Sequence, residues 1–164
     1  MTAHTPQLVA FLGTDLLARG PASEVVLACK RRSAEPGEPR LAIYAASSGH
    51  ALDVDLSGDE EAVLERLASH PLLVQIALEE NAGSRNRRPR TPERLAADAA
   101  YRFMHDLVGN IDGFEEASRA LFAHDDVGFC REIAHWPQDV RDQLARFRAA
   151  RVGDGPDVRD RPDR

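Results

Sequence analysis

The 164-residue chain has a single lysine, Lys30, beside twenty arginines, only two cysteines, and no apolar run near the length of a membrane span. Each scarcity closes off a class of protein. A bilayer-spanning helix needs roughly 20 consecutive apolar residues, so no membrane partner is expected. Cys29 and Cys130 are too few for the disulfide framework of a small secreted scaffold, and a cytoplasmic location is expected. The opening MTAHTPQLVAFLGTD has no basic start, no long apolar stretch and no small-residue cleavage site, and does not read as a signal peptide. Neither GTD nor SSGH fits a P-loop or a dinucleotide fingerprint, and no cofactor is indicated.

What is present is an ordinary soluble balance, 43% hydrophobic and 29% charged, enough for a core. The net charge of −6 is unevenly spread: residues 1–82 carry −6, residues 83–94 carry +4, residues 95–150 carry −4, and the tail 151–164 is neutral. An acidic chain with one short basic strip is not built to grip a long nucleic acid.

Hydrophobic periodicity predicts an α+β fold. QLVAFL and LLARG read as strands around a GTD turn, and Gly20-Pro21 opens a helix with Val25, Val26 and Cys29 on one face. Leu41, Ile43 and Ala45, then Leu52, Val54 and Leu56, alternate around Ser-Ser-Gly-His as a second hairpin. Ser57 and Glu60 form a capping box for a helix bearing Val63, Leu64 and Leu67. Setting Gly58 over Gly20 places Val63 on Val25, Leu64 on Val26 and Leu67 on Cys29. The two units then read as one ββα unit twice, giving a four-stranded antiparallel sheet with helices on one face.

The organisation expected is a ββαββα unit over 1–70, a short apolar segment and Arg-rich linker over 71–94, a helical unit over 95–151 and a disordered tail over 152–164. Pro71 to Leu78 fits either a short helix or a strand. Thr91 before Pro92 and Glu93 starts a helix whose stripe is Leu95, Ala99, Phe103 and Leu107. Asp112 with Glu115 caps a second, with Phe114, Ala117, Leu121 and Phe122 inward. Asp125 starts a third, with Phe129, Cys130, Ile133 and Trp136 apolar, and Pro137 opens a fourth with Val140, Leu144 and Phe147. The aromatics read as core, not as the lining of a cleft.

AAYRFM (99–104), GFEEASRALFAHDD (113–126) and WPQDVR (136–141) resemble the closing region of bacterial domain-of-unknown-function family 2239. FLGTDLLARGPASEVVLACKR and RLAIYAASSGHALDVDLSGDEEAVLERL resemble its opening. The resemblance implies no chemistry, since the family has none assigned and offers no catalytic residues to transfer. It also implies a middle section with a Gly-Arg-Pro start and a Leu-Pro-x-His-Trp motif. Residues 71–94 are too short to hold that section, so a ribbon-helix-like DNA reading of it does not carry over.

The candidate sites each have a plainer alternative. His124, Asp125, Asp126, Cys130 and His135 have metal-friendly chemistry, but Cys130 and His135 are about 140° apart around a helix. Both cysteines fit buried, inert thiols on apolar stripes. His105 and Asp106 read as a solvated face, and Asp53 and Asp55 as the wet side of a strand, with His50 nearby. Arg85, Arg87, Arg88, Arg90 and Arg94 would suit phosphates or an acidic partner, although no aromatic lies among them for base stacking and a solvated linker is the plainer reading. Leu72, Leu73 and Ile76 are candidates for self-association. The function expected is a non-catalytic interaction or regulatory module with a protein partner or a second copy. The alternatives are a nucleic-acid accessory protein using the arginine strip and an enzyme with a dispersed site.

Overall fold

The computed structural model describes residues 6–32, 37, 39–82 and 91–150, with the side chains of 79–82 left aside. Four strands form one antiparallel sheet: β1 (Gln7–Leu12), β2 (Asp15–Pro21), β3 (Leu41–Ala45) and β4 (Ala51–Leu52), in the order β2-β1-β3-β4. Gly13, at φ 63°, supplies the left-handed step of the short link between β1 and β2. Helices α1 (Ala22–Arg32) and α2 (Glu60–Ala68) follow the two hairpins. The helix starts are 38 residues apart, as the internal alignment predicts, with Val25 and Cys29 buried in α1 and their matches Val63 and Leu67 buried in α2, whereas Leu64, the match of buried Val26, is only partly buried. Residues 71–82 resolve as a helix, α3 (Pro71–Ala82). Then come α4 (Pro92–Val108), α5 (Phe114–Phe122), α6 (Asp126–Glu132) and α7 (Gln138–Ala149).

The sheet is covered on both faces, not on one as the strand patterns suggest. Leu8, Ala10, Ile43, Ala45 and Leu52 face α1, α2 and α3, while Val9, Phe11, Ala42 and Tyr44 face the C-terminal helices. Leu8, Val9, Ala10 and Phe11 are all fully buried. A strand enclosed on both sides reads as a continuous apolar run, which is what LVAFL is.

Helix α4 lies on the second face through Ala96, Ala97, Ala99, Ala100, Phe103, Met104 and Val108. The inward stripe is turned from the expected one: Leu95 is exposed and Leu107 only partly buried, because the alanine-rich side allows closer approach to the sheet. The turn after β3 exploits that approach. A Cβ at Gly49 (φ 68°) would stand 2.1 Å from the Ala99 carbonyl oxygen. Phe103 is the hub of this layer, with ring centroids 5.3 Å from Phe11, 5.0 Å from Tyr44 and 5.6 Å from Phe147. Trp136 is buried and donates its indole N–H to the Asp112 carbonyl at 3.0 Å. Phe122, expected inside, is instead 36% exposed under the Arg94 guanidinium.

Three local signals resolve differently from expectation. Helix α2 is capped by Asp59, whose carboxylate accepts from Ala62 N at 2.9 Å, not by Ser57, which donates its N–H to Asp55. Helix α5 starts at Gly113 (φ 83°) without a side-chain cap, and Asp112 offers its carbonyl to Trp136 instead. Strand β4 stops at Leu52, so Val54 and Leu56 do not extend the hairpin. The carbonyls beyond it find other donors: Arg66 donates to Asp55 O and Ser57 O, each at 2.5 Å, and Lys30 to Leu56 O at 3.0 Å and to Gly58 O. Charged donors satisfy this backbone as well as a ladder would. The Thr91 and Asp125 caps form as expected, accepting from Arg94 N and Gly128 N.

Truncating Phe103 to alanine should cost about 3–5 kcal/mol in urea denaturation, whereas Phe122→Ala should cost about 1 kcal/mol or less. Equal losses would contradict the placement of the two rings.

Candidate functional site

Of the five strip arginines, Arg85, Arg87, Arg88 and Arg90 lie outside the described residues. Arg94 sits in the first turn of α4, its Nε 3.2 Å from Asp98 Oδ1 and its guanidinium 5.0 Å from the centre of the Phe122 ring. Its charge is already engaged.

The apolar segment divides between two environments. Leu73 and Ile76 are 6% and 8% exposed within the core formed with α1 and α2, and Leu72 packs at its margin. Leu73 and Ile76 are thus spent on the core, and Leu72 keeps partial exposure. The aliphatic side chains that α3 leaves outward are Val74, 44% exposed, and Leu78, 63% exposed. With exposed Pro71 and Gln75 they occupy i, i+3, i+4 and i+7, a face that carries no charge among the described side chains of α3.

The polar candidates are dispersed into local structural work. Asp55 pairs with Arg66 at 2.8 Å, and the N–H of Ser57, then Arg66, hold its carboxyl below the usual range. Its neighbours Asp53 and His50 lie on turn and loop backbone, and His70 bonds the Asp53 carbonyl at 3.2 Å. Asp125 is a helix cap, Asp126 pairs with Arg148 at 2.6 Å, and His135 bonds the Asp112 carbonyl at 3.0 Å. His105 is exposed, and Asp106 is half-buried: its Oδ2 accepts from Tyr44 OH at 2.6 Å and from Arg40 Nη2 at 3.1 Å, tying β3 to α4. The two cysteines part company. Cys29 is buried, as expected. Cys130 is exposed, because Phe129 and Ile133 at i and i+4 take the inward face of short α6. Arg148 Nη1 donates to Cys130 Sγ at 3.2 Å and lies 5.1 Å from the Phe129 ring.

Two clefts collect polar side chains from distant parts of the chain. One, of about 510 Å³, is lined by Thr14, Arg40, His105, Asp106, Gly109 and Asn110, among others. Its Arg40 and Asp106 neutralise each other. The other, of about 530 Å³, lies between β2 and α7 and is lined by Leu16, Arg19, Asp139, Asp142, Ala145, Arg146 and Ala149. Leu16 N donates to Asp139 Oδ2 at 2.7 Å, and Arg19 Nη2 donates to the buried Gln143 Oε1 at 2.5 Å. Arg19 and Gln143 are 124 residues apart, so no local pattern foretells the pair.

Residues 7–91 and 77–148 match the model of a family described as an uncharacterized protein conserved in bacteria, DUF2239. The chain belongs to DUF2239. The two matched stretches overlap on residues 77–91, which take in the end of α3 and the residues leading to α4. No curated protein and no solved structure matches the chain. As a DUF2239 member it inherits no catalytic assignment, and its chemistry has to be argued from the geometry. Among the described residues, no three His, Cys, Asp or Glu side chains gather to hold a metal, and no helix is long and apolar enough to cross a membrane.

Burial pushes the Cys29 thiol up to about 11, and burial followed by the Asp106 carboxylate raises the Tyr44 phenol. Both groups are more readily protonated folded than unfolded. Their share of stability is complete below about pH 9 and falls as Cys29 titrates between 9 and about 11, a loss of about 2–3 kcal/mol at most from the thiol. At pH 8 a thiol reagent should modify one cysteine per native chain, Cys130, and the second only in denaturant. Two equivalents titrating at one rate in the native protein would contradict the burial of Cys29.

Proposed function

We propose that this DUF2239 protein is a non-catalytic cytoplasmic module that works by association, and that the surface it uses is the outer face of α3, paired with a second copy of the chain. The observation that carries this reading is the uncharged face Pro71, Val74, Gln75 and Leu78, with Val74 and Leu78 exposed beside a helix side already packed inward. Two copies carrying −6 each repel over most of their surfaces. A face without charge is where that repulsion is least, and a helix face meets its own copy across a two-fold axis by self-complementarity.

The non-catalytic part of the proposal rests on where the reactive groups are spent: Asp55 on Arg66, Asp106 on Tyr44 and Arg40, Asp126 on Arg148 and Asp125 on a helix cap. The cytoplasmic part rests on Cys29 and Cys130, both unpaired thiols.

Sedimentation equilibrium across the micromolar range should show a monomer–dimer equilibrium. Leu78→Glu or Val74→Glu should weaken it at least tenfold, about 1.4 kcal/mol, with the thermal midpoint little changed. A strict monomer throughout that range, or a dimer indifferent to both substitutions, would overturn the reading.

A further inference from the structure

The β2–α7 cleft holds an arrangement that association through α3 does not use. Arg19 stands directly opposite Val9 in the β1–β2 register, and opposite residues of an antiparallel pair share a face. Its side chain is therefore directed to the α4–α7 side of the sheet, where it reaches Gln143. There its Nη2 bonds Gln143 while its Nε is buried without an acceptor. Arg146 lies three residues beyond Gln143 on α7 and lines the same cleft. Burial and then the charge of Arg146 depress Arg19, while the cleft carboxylates Asp142 and Asp139 oppose them.

Neither cation forms a direct ion pair among the described residues, although Asp139 and Asp142 line the same cleft. Asp139 accepts the Leu16 N–H, and Asp142 accepts from Gln138 Nε2 at 2.8 Å. Two like charges turned toward one hollow, one of them partly desolvated, form an arrangement that an anion between them would relieve. Guanidinium forks match tetrahedral oxyanions with paired N–H donors. Leu16, Ala145 and Ala149 add an apolar side to the cleft, and its volume exceeds that of a bare ion.

We propose that the cleft between β2 and α7 binds a phosphate group, held between Arg19 and Arg146, with Leu16, Ala145 and Ala149 lying against whatever the phosphate is attached to. The competing role for Arg19 is to guard the edge strand: an inward-pointing charge blocks pairing of β2 with another strand and needs no ligand.

Backbone amide shifts of the full chain, titrated at constant ionic strength with inorganic phosphate and separately with phenyl phosphate, distinguish the two. The expected result is saturable shifts centred on Leu16, Arg19, Gln143 and Arg146. Arg146→Gln, an exposed position whose replacement leaves the thermal midpoint unchanged, should weaken them tenfold or more. Tighter binding of phenyl phosphate supports an organic phosphate monoester as the natural occupant, and equal binding supports the free ion. Shifts that do not saturate, or that Arg146→Gln leaves unaltered, overturn the site and leave Arg19 as an edge guard. Arg19→Gln serves as a second variant, expected to abolish the cleft shifts while the shifts of α3 amides stay as they were.

Discussion

The structure depends on one strand being dry on both sides. With Leu8, Val9, Ala10 and Phe11 fully buried, β1 cannot exist as a half-wet strand. It needs a helical layer above and another below, and the chain supplies them in order: α1, α2 and α3 on one face, α4 to α7 on the other. Isolated helices of 7 to 17 residues are marginal in water, so the layers depend on the sheet as much as the sheet depends on them. Phe103 is where this mutual dependence is densest, touching a ring from β1, one from β3 and one from α7.

Closing both faces leaves the sheet's edges to be managed, and each edge is handled differently. On the β2 side, a bulge between Ala10 and Phe11 breaks the register, Asp139 takes the Leu16 N–H, and Arg19 carries charge under α7. On the β4 side the strand ends after two residues, and Lys30 and Arg66 take over the carbonyls that follow. With strand pairing discouraged at both ends, the exposed pair Val74 and Leu78 lies on a helix, α3. The same edge devices put two arginines into one hollow. An edge guard and an anion site can therefore share residues.

Periodicity made much of the fold legible. LVAFL, the repeat joining Val25 to Val63, the Thr91 and Asp125 caps and Pro137 before α7 all act over a turn or two, and their outcomes follow from local sterics and hydrogen bonding. Ser57, the Asp112–Glu115 pair, Val54, Leu56, Phe122 and Cys130 each satisfied a local rule, and each lost to a competitor, some of them distant in the chain and some, as for Cys130, close by. Arg66 and Lys30 captured the backbone near Ser57, Trp136 claimed the Asp112 carbonyl, and Ile133 with Phe129 claimed the inner face of α6. The candidate sites were less legible still, because Arg19, Gln143 and Arg146 belong to no motif and meet only when α7 folds back across β2.

By itself the chain's order of residues determined an α+β protein of two ββα units and a run of capped helices, since hydrophobic spacing and helix ends are properties of neighbours. Tertiary structure alone decided that the sheet has two covered faces, that Leu73 and Ile76 point in while Val74 and Leu78 point out, and that two arginines share a cleft. The reason is geometric. A periodic pattern states that one side of an element is apolar, but which side is buried, and against what, is settled only when every other element competes for the same space.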